Sequence, residues 1–161
     1  MSTKTRFRTK KSICQLRGTK DGKIKGNVIF TQLKTQMKIE LNLHDLPPGS
    51  RGFHIHNKGN LSEGCKSLCS HFNPTNKKHG GLNDKNSHAG DLGNILIDNK
   101  GKCNTIIYSK FLKNNGYKFN IIGRSVVIHE KEDDLGLGNN KESLITGNAG
   151  KRIACGIIGI Y

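Results

Sequence analysis

The chain has 161 residues, the size of one domain with room for a hydrophobic core. It contains 20 glycines and no long apolar helical stripe, which favours an all-β fold. No apolar run approaches the length of a membrane span or a secretory signal, so a membrane-spanning protein is excluded and we expect an intracellular, cytoplasmic one. The formal net charge of +15 is typical of proteins that meet nucleic acid, an anionic surface or a small anion.

The first eleven residues form a basic segment with five lysines and arginines and no acidic residue. We interpret residues 1–11 as a disordered, solvated tail. An electrostatic arm for nucleic acid or an acidic membrane surface is the alternative. The remaining residues, 12–161, are assigned to one folded domain, which is itself basic.

Eight short strands are predicted along the domain. The clearest is residues 37–43, where apolar side chains alternate with Lys38, Glu40 and Asn42 in the period-two pattern of a half-buried strand. The predicted strands are residues 13–16, 24–30, 37–43, 53–56, 94–97, 104–108, 126–129 and 153–160. Turns rich in Gly, Pro and Asn separate several of them. Eight strands without a convincing helix predict a barrel or sandwich.

Two connections, residues 57–92 and 130–151, are too long for a tight β meander. Both are polar and rich in glycine, and loops of that length are usually functional or disordered. Because most of the histidines fall in or beside these two segments, we expect them to be functional.

Five of the seven histidines and one aspartate cluster within residues 54–91 and predict a metal site. The cluster consists of His54, His56, His71, His79, His88 and Asp91. The first two are two residues apart on a predicted strand, so both side chains project from one face. The others are flanked by Asn, Lys, Gly and Ser, which argues against core packing. His44 lies outside the cluster and is interpreted as a surface histidine.

The ligand types indicate two metals. Three histidines with one carboxylate form a closed tetrahedral zinc set, whereas four imidazoles favour a tetragonal copper centre with an open face. Two separate sites with four and three histidines would need seven, one more than the six candidate histidine ligands in the chain. That shortfall disappears if one histidine, deprotonated at both ring nitrogens, bridges the two metals.

Several ordered motifs extend this pattern through the domain. They occupy residues 52–56, 71–74, 79–81, 88–94, 121–124, 127–131, 133–136, 146–150 and 152–156. Together they resemble the copper–zinc superoxide dismutase family over residues 12–161. The resemblance implies an eight-stranded Greek-key barrel, or flattened immunoglobulin-like sandwich, with two long functional loops. It also implies an antioxidant enzyme that converts superoxide radicals to dioxygen and hydrogen peroxide.

The same resemblance implies one copper ion and one zinc ion per subunit. The copper ligands it indicates are His54, His56, His71 and His129. The zinc ligands it indicates are His71, His79, His88 and Asp91. His71 would therefore bridge the two metals and act as a proton relay.

Further roles follow from the resemblance alone. Asp133 matches a carboxylate that links a copper histidine to a zinc histidine, and Arg152 matches the arginine that receives superoxide beside copper. Cys65 and Cys155 match an intrasubunit disulfide. From the residues themselves, Cys69 stays open as a rival partner for Cys65. Cys14 is interpreted as a buried strand residue, and Cys103 as a free thiol.

The expected partners are the superoxide anion, a second copy of the chain in a homodimer, and a copper chaperone as a candidate. Gly59, Ile122, Gly123 and residues 157–160 fit a dimer face, but Lys58 stands where the family usually has an apolar contact. In the loop that steers the substrate, Lys141 replaces an expected acid and Ile145 an expected lysine.

Two other classes of protein are alternatives to the enzyme. A metal-binding module without turnover, such as the dismutase-like domain of a copper chaperone, typically lacks copper ligands, and here none is missing. A basic nucleic-acid-binding protein with structural metals would bind DNA in a salt-sensitive way. The sequence offers it no recognition helix or aromatic platform.

Overall fold

Antiparallel strands build the computed structural model of the chain, which describes residues 10–161. The strands are Lys11–Gly18 (β1), Ile24–Gln32 (β2), Met37–Leu43 (β3), Gly49–His56 (β4), Ser62–Cys65 (β5), Asp91–Ile97 (β6), Cys103–Ser109 (β7), Ser125–His129 (β8) and Arg152–Ile160 (β9). Residues 1–9, which hold most of the predicted basic tail, lie outside the described part of the chain.

All eight predicted strands are confirmed; residues 37–43 have the predicted bounds, and the other seven strands are longer by up to four residues at an end. The elements that the sequence did not predict all lie in the two long connections. They are β5, the 3-10 turn Lys66–Leu68 and the one-turn helix Ser143–Thr146 (α1). Within residues 10–161, neither helical segment has the length and apolar character needed to cross a membrane.

Eight of the strands form one sheet in the order β6-β4-β8-β9-β1-β2-β3-β7, and every neighbouring pair is antiparallel. β6 and β7 are consecutive in the chain but lie at opposite ends of this order, so residues 98–102 connect the two edges. Residues 44–48 cross in the same way from β3 to β4. Crossing connections of this kind make a Greek-key barrel that is nearly closed, and they confirm the predicted fold class.

The barrel interior is filled by the inward-facing residues of each strand. On β2 and β3, Phe30 lies opposite Ile39 and Val28 lies opposite Leu41, and all four side chains are buried. Cross-strand pairs of large apolar residues are the unit that stabilises such a sheet.

Residues 52–56 of β4 and the whole of β8 are buried on both faces. Phe53 and Ile55 of β4 pack in the barrel core, and His54 and His56 project to the other side. There the two long connections cover the sheet, and all five residues of β8 are buried as well. The fold therefore places a dry, polar layer between the barrel wall and its loops.

Candidate metal centre

Two neighbouring strands supply three of the predicted ligands. His54 and His56 lie on β4, and His129 ends β8, which pairs with β4. The rings of His54 and His56 have centroids 6.4 Å apart on one face, as their spacing predicts. All three residues are at most 4% exposed. Neutral imidazoles held in a rigid, dry layer are well suited to bind a metal ion.

Four histidines form a first group of converging ring nitrogens, here called the four-histidine group. It consists of His54, His56, His71 and His129, whose ligand atoms lie within 4.8 Å of one another. Backbone carbonyls orient two of the rings, because His56 Nδ1 donates to Cys69 (2.8 Å) and His129 Nδ1 to Gly150 (3.0 Å). Their Nε2 atoms are left facing each other at 3.4 Å. These contacts set the tautomer in which Nε2 is free for a metal.

The other two rings of the group carry buried nitrogens without a hydrogen-bond partner. These atoms are Nδ1 of His54 and Nε2 of His71. Leaving a buried polar atom unpaired costs on the order of 1–3 kcal/mol, so a ligand is needed there. An all-imidazole donor set fits copper, and one ion bound to both atoms would remove this cost.

The second group converges on a single carboxylate oxygen and is here called the Asp91 group. Asp91 Oδ1 lies 2.9, 3.0 and 3.1 Å from the Nδ1 atoms of His71, His79 and His88. Its Oδ2 accepts hydrogen bonds from the backbone of Gly80 and His88, both at 3.0 Å. Ligands at about 2.0–2.1 Å from a tetrahedral zinc ion lie roughly 3.3 Å apart, so this spacing fits zinc closely.

His54 has a ligand atom within 4.8 Å of those of His71, His79 and Asp91 as well. By distance alone, His54 could therefore belong to the Asp91 group. His88 fits better, because its Nδ1 contacts the same Asp91 oxygen as the other two rings. His71 presents one nitrogen to each group, which is the arrangement that the histidine count requires.

Asp133 connects the two groups behind the metal positions. Its Oδ2 accepts from His54 Nε2 and its Oδ1 accepts from His79 Nε2, both at 2.7 Å, and the carboxylate is fully buried. Gly147 packs directly on this contact: a Cβ there would lie 1.9 Å from Asp133 Oδ1, and its φ of +68° also favours glycine. The sequence motif that contains Gly147 is therefore explained by a close approach to Asp133.

Burial lowers the pKa of every ring in the four-histidine group. The pKa is well below the usual value for His54 and His56, below it for His71, and about 4 for His129. Desolvation is the largest cause in each case, and the neighbouring rings add to it. All four imidazoles are therefore neutral near pH 7 and keep a lone pair for a metal.

In the Asp91 group, the pKa of His79 shifts in the opposite direction. Burial opposes protonation of His79, but its hydrogen bonds with Asp133 and Asp91 outweigh burial and raise its pKa to about 9. Burial alone would raise the pKa of Asp91, yet hydrogen bonds from the three histidines lower it. A zinc ion bound at His79 Nδ1 would take the place of that proton, because the ion supplies the positive charge that Asp91 attracts.

A cavity of 510 Å³, here called the channel, opens onto the four-histidine group. Side chains of both charge signs line it, among them those of His56, His71, His129, Glu130, Lys131, Glu142, Ile145, Thr146, Lys151 and Arg152. Lys141, which the sequence placed near the steering loop, is not among the lining residues. Lys131 and Lys151 were not predicted as channel residues, although they lie two residues after His129 and just before Arg152 in the chain.

The predicted disulfide between Cys65 and Cys155 is confirmed, with Cα atoms 5.9 Å apart. Cys69 is an exposed free thiol, so it is not the partner of Cys65. The disulfide ties the first long connection to β9 beside Arg152. The guanidinium of Arg152 is fixed by that connection, because Nη1 donates to the Cys65 carbonyl and Nη2 to the Cys69 carbonyl at 2.6 Å.

The remaining predictions about single side chains are also resolved. Cys14 is buried in β1 as expected, and burial raises the pKa of its thiol to about 12. Cys103 is a free thiol and is buried. His44 lies apart from both groups, with its ring Nδ1 3.0 Å from Asp45 Oδ2 and its side chain 45% exposed.

Comparison with known proteins agrees with this geometry. A family model described as copper/zinc superoxide dismutase matches residues 24–158. A copper–zinc superoxide dismutase of Paramecium bursaria Chlorella virus 1 is 50% identical over 140 residues, covering 86% of this chain and 74% of the relative. An extracellular copper–zinc superoxide dismutase of Drosophila melanogaster is 48% identical over 139 residues, covering 85% and 76%. The crystal structure of the clock protein EA4 matches with a TM-score of 0.89, 43% identity and 96% coverage of both chains.

Proposed function

The chain belongs to the copper/zinc superoxide dismutase family, and from this we propose that the four-histidine group holds copper and the Asp91 group holds zinc. The enzyme is an oxidoreductase that converts superoxide radicals to dioxygen and hydrogen peroxide, an activity of antioxidant defence. The observation that carries the assignment is the position of His71, which directs Nε2 to one group and Nδ1 to the other.

When bound, copper supplies the one-electron couple that oxidises one superoxide and reduces the next, and zinc is structural. Peroxide formation also requires two protons. We assign the first to Nε2 of His71, which is buried, unpaired and directed at the four-histidine group. Nδ1 of this ring lies 2.9 Å from Asp91 Oδ1, and a zinc ion shared by the two atoms would keep the ring's orientation whether or not Nε2 carries the proton.

Arg152 is the proposed contact for superoxide. It lines the channel together with His56 and His129, and two backbone carbonyls hold its guanidinium in place. Burial lowers the pKa of Arg152 from its usual value, but an arginine retains its charge at neutral pH. A fixed positive charge can orient a small anion beside the metal without being drawn away into solvent.

The metal assignment predicts one copper and one zinc per chain after both metals are supplied. Elemental analysis of the dialysed protein measures this directly. His88→Ala is expected to lower zinc affinity by at least about tenfold and to leave copper near one per chain, because His88 belongs only to the Asp91 group. His44→Ala is the matched control and should change neither metal. Zinc in both sites after copper loading would contradict the copper assignment.

A homodimer through the end of β9 is proposed as the assembly. Ile157 and Ile160 are 39% and 69% exposed on this strand, and the loops at Gly59 and Gly123 lie against each other beside it. Exposed branched apolar residues next to close-packed backbone can form a self-complementary surface. Lys58 is exposed at the edge of the same surface, where its ammonium can remain in water.

Light scattering at micromolar concentration should therefore report twice the mass of one chain. Ile160→Lys is expected to yield a monomer, since it places a charge within the contact. Leu96→Lys is the control: Leu96 is 72% exposed but lies on β6, on the far side of the sheet order. A stable monomer in the unsubstituted protein, or equal dissociation by both variants, would reject this face.

Three further features are proposed: the cellular location, the source of the copper and the domain division. A cytoplasmic location is proposed, and secretion is the alternative because one relative is named as extracellular. A copper chaperone is proposed as the source of the metal. The domain division after residue 11 is proposed as well, and β1 begins at that boundary, with Lys11 as its first residue. Electrophoretic mobility shift with the first eleven residues removed would reveal any contribution of the tail to nucleic-acid binding.

A further inference from the structure

The motif at residues 121–124 ends in Arg124, whose side chain makes several specific contacts although it belongs to neither metal group. Its Nε donates to the Asn120 carbonyl at 2.8 Å. Its Nη1 donates to both oxygens of Asn57, to the carbonyl at 2.7 Å and to Oδ1 at 2.9 Å. Its Cζ lies 3.9 Å from the centroid of the Phe72 ring. In the described part of the chain, no carboxylate forms an ion pair with it.

Two of the residues that Arg124 contacts each follow a proposed copper ligand. Asn57 comes directly after His56 at the end of β4, and Phe72 comes directly after His71 in the first long connection. An antiparallel bridge joins His56 to His71, so the strand and the loop lie side by side at this point. Arg124 therefore spans the junction between the strand that carries one ligand and the loop that carries the other.

Backbone hydrogen bonds hold the loop beside β4, and Arg124 adds a contact between side chains. The Phe72 amide donates to the Ile55 carbonyl at 2.8 Å, and the Asn57 amide donates to the Ser70 carbonyl at 2.9 Å. The ring of Phe72 is buried in the hydrophobic core. A guanidinium can stack on such a ring while its N–H groups donate in its own plane, and an ammonium group cannot. The site is therefore specific for arginine.

We propose that Arg124 is a positioning residue that holds His71 against His56 and thereby sets where His71 Nε2 enters the four-histidine group. It acts through the two residues that follow these ligands, Phe72 and Asn57. Partners that orient metal ligands in this way fix the direction from which each ring nitrogen approaches the ion. The contact lies within one chain and requires no free surface.

His71 belongs to both metal groups, and this gives the role a distinctive consequence. Its Nε2 faces the four-histidine group, and its Nδ1 lies 2.9 Å from Asp91 Oδ1. A displaced His71 should therefore weaken binding of both metals, whereas a displaced His56 would weaken binding of copper alone. This consequence rests on the proposed function, in which the two groups hold copper and zinc.

Metal affinity is measured by competition between a chelator and the metal-loaded protein. Arg124→Ala is expected to lower the affinities for copper and for zinc by about tenfold each, at the low end of the effect of residues that orient metal ligands. Arg124→Lys keeps the charge without the planar group and should lower both by about threefold. Arg17→Ala is the control, because it removes an exposed guanidinium that donates to the Gly22 carbonyl. Loss of copper alone, or of neither metal, would overturn the role.

The electron paramagnetic resonance spectrum of Cu²⁺ provides a readout that lower stability alone would not move. A changed copper hyperfine splitting is expected in fully loaded Arg124→Ala, because the approach of His71 to the ion changes. Arg17→Ala should match the unsubstituted protein. Ile160→Lys is a second control, since Arg124 follows Gly123 at the proposed dimer face. An unchanged spectrum in Arg124→Ala, or the same change in the monomeric Ile160→Lys, would overturn the positioning role.

Phe72→Leu tests the route by which Arg124 acts and remains informative if Arg124→Ala folds poorly. It keeps an apolar side chain and the hydrogen bonds to Asn57 but removes the ring on which the guanidinium stacks. When Arg124→Lys and Phe72→Leu are combined, the loss of zinc affinity should be smaller than the product of the two single losses. A loss equal to that product would mean that the two residues act independently and would overturn this route.

Hydrogen exchange of the metal-loaded proteins, followed by mass spectrometry, separates the positioning role from the metal assignment. Residues 70–73 should exchange at least about tenfold faster in Arg124→Ala, with β3 unchanged, whichever metals are bound. Unchanged exchange of residues 70–73 would overturn the role. If the unsubstituted protein held zinc in both sites, the metal assignment would fall, whereas faster exchange would still sustain Arg124 as the residue that holds the loop against β4.

Discussion

Replacing His129 by alanine is expected to lower the dismutase rate by more than about 100-fold while zinc remains at one per chain. His129 contributes Nε2 to the four-histidine group and is not a member of the Asp91 group. Its loss removes one of the four nitrogens that hold copper and leaves the zinc ligands complete. The rate of superoxide consumption and the metal content of the same sample measure both effects.

Protein stability must be separated from loss of the ligand in this variant. His129 ends β8 and is 4% exposed, so its truncation also leaves a small void. His129→Gln fills most of that space and provides a matched control that should also be inactive. His44→Ala should retain full activity. Full activity in His129→Ala with copper still bound would remove this residue from the site.

Reversing the charge of Arg152 is expected to lower the rate by about 10- to 100-fold at low salt, because it places a negative charge where superoxide must arrive. Arg152→Lys keeps the positive charge but loses the guanidinium that two backbone carbonyls hold in place. An intermediate rate is therefore expected. Lys141→Glu makes the same change in net charge outside the channel lining and should have a much smaller effect.

Salt dependence checks the same argument by a second measurement. The Debye length is about 10 Å at 0.1 M salt, so added salt should lower the rate of the unsubstituted enzyme by shortening the reach of its charges. The rate of Arg152→Glu should rise or stay level with salt, since screening then weakens a repulsion. A rate that changes neither with salt nor with the Arg152 substitutions would mean that electrostatic steering of superoxide has no part in the reaction.

The sequence predicted the strands well because each has a local signal. Residues 37–43 alternate strictly, and the observed β3 has the same bounds with its odd-numbered residues buried. The extra lengths of β4 and β6 depend on pairing with each other across a bulge between Gly52 and His54, which no local pattern reveals. The short elements β5 and α1 lie in polar loops and depend on tertiary contacts for the same reason.

At the metal centre, the ligand types could be predicted but the atoms could not. Which ring nitrogen is free depends on distant partners, such as the Cys69 carbonyl for His56 and Asp133 for His54. The disulfide partner was also undetermined from the residues, because Cys69 and Cys155 were both available to Cys65. The position of Lys151 in the channel lining depends on the path of the chain into β9, which only the folded chain defines.

The contacts that complete the metal centre join residues far apart in the chain. The disulfide spans 90 residues, the His54–Asp133 contact 79 and the Arg152–Cys65 contact 87. Such long-range closures form slowly, whereas β1, β2 and β3 can pair through short turns as they are synthesised. During translation the nascent chain can therefore pair three of its eight barrel strands early. It cannot close the Cys65–Cys155 disulfide or place Arg152 until β9 has left the ribosome, so an incomplete chain lacks the arginine that we propose as the contact for superoxide.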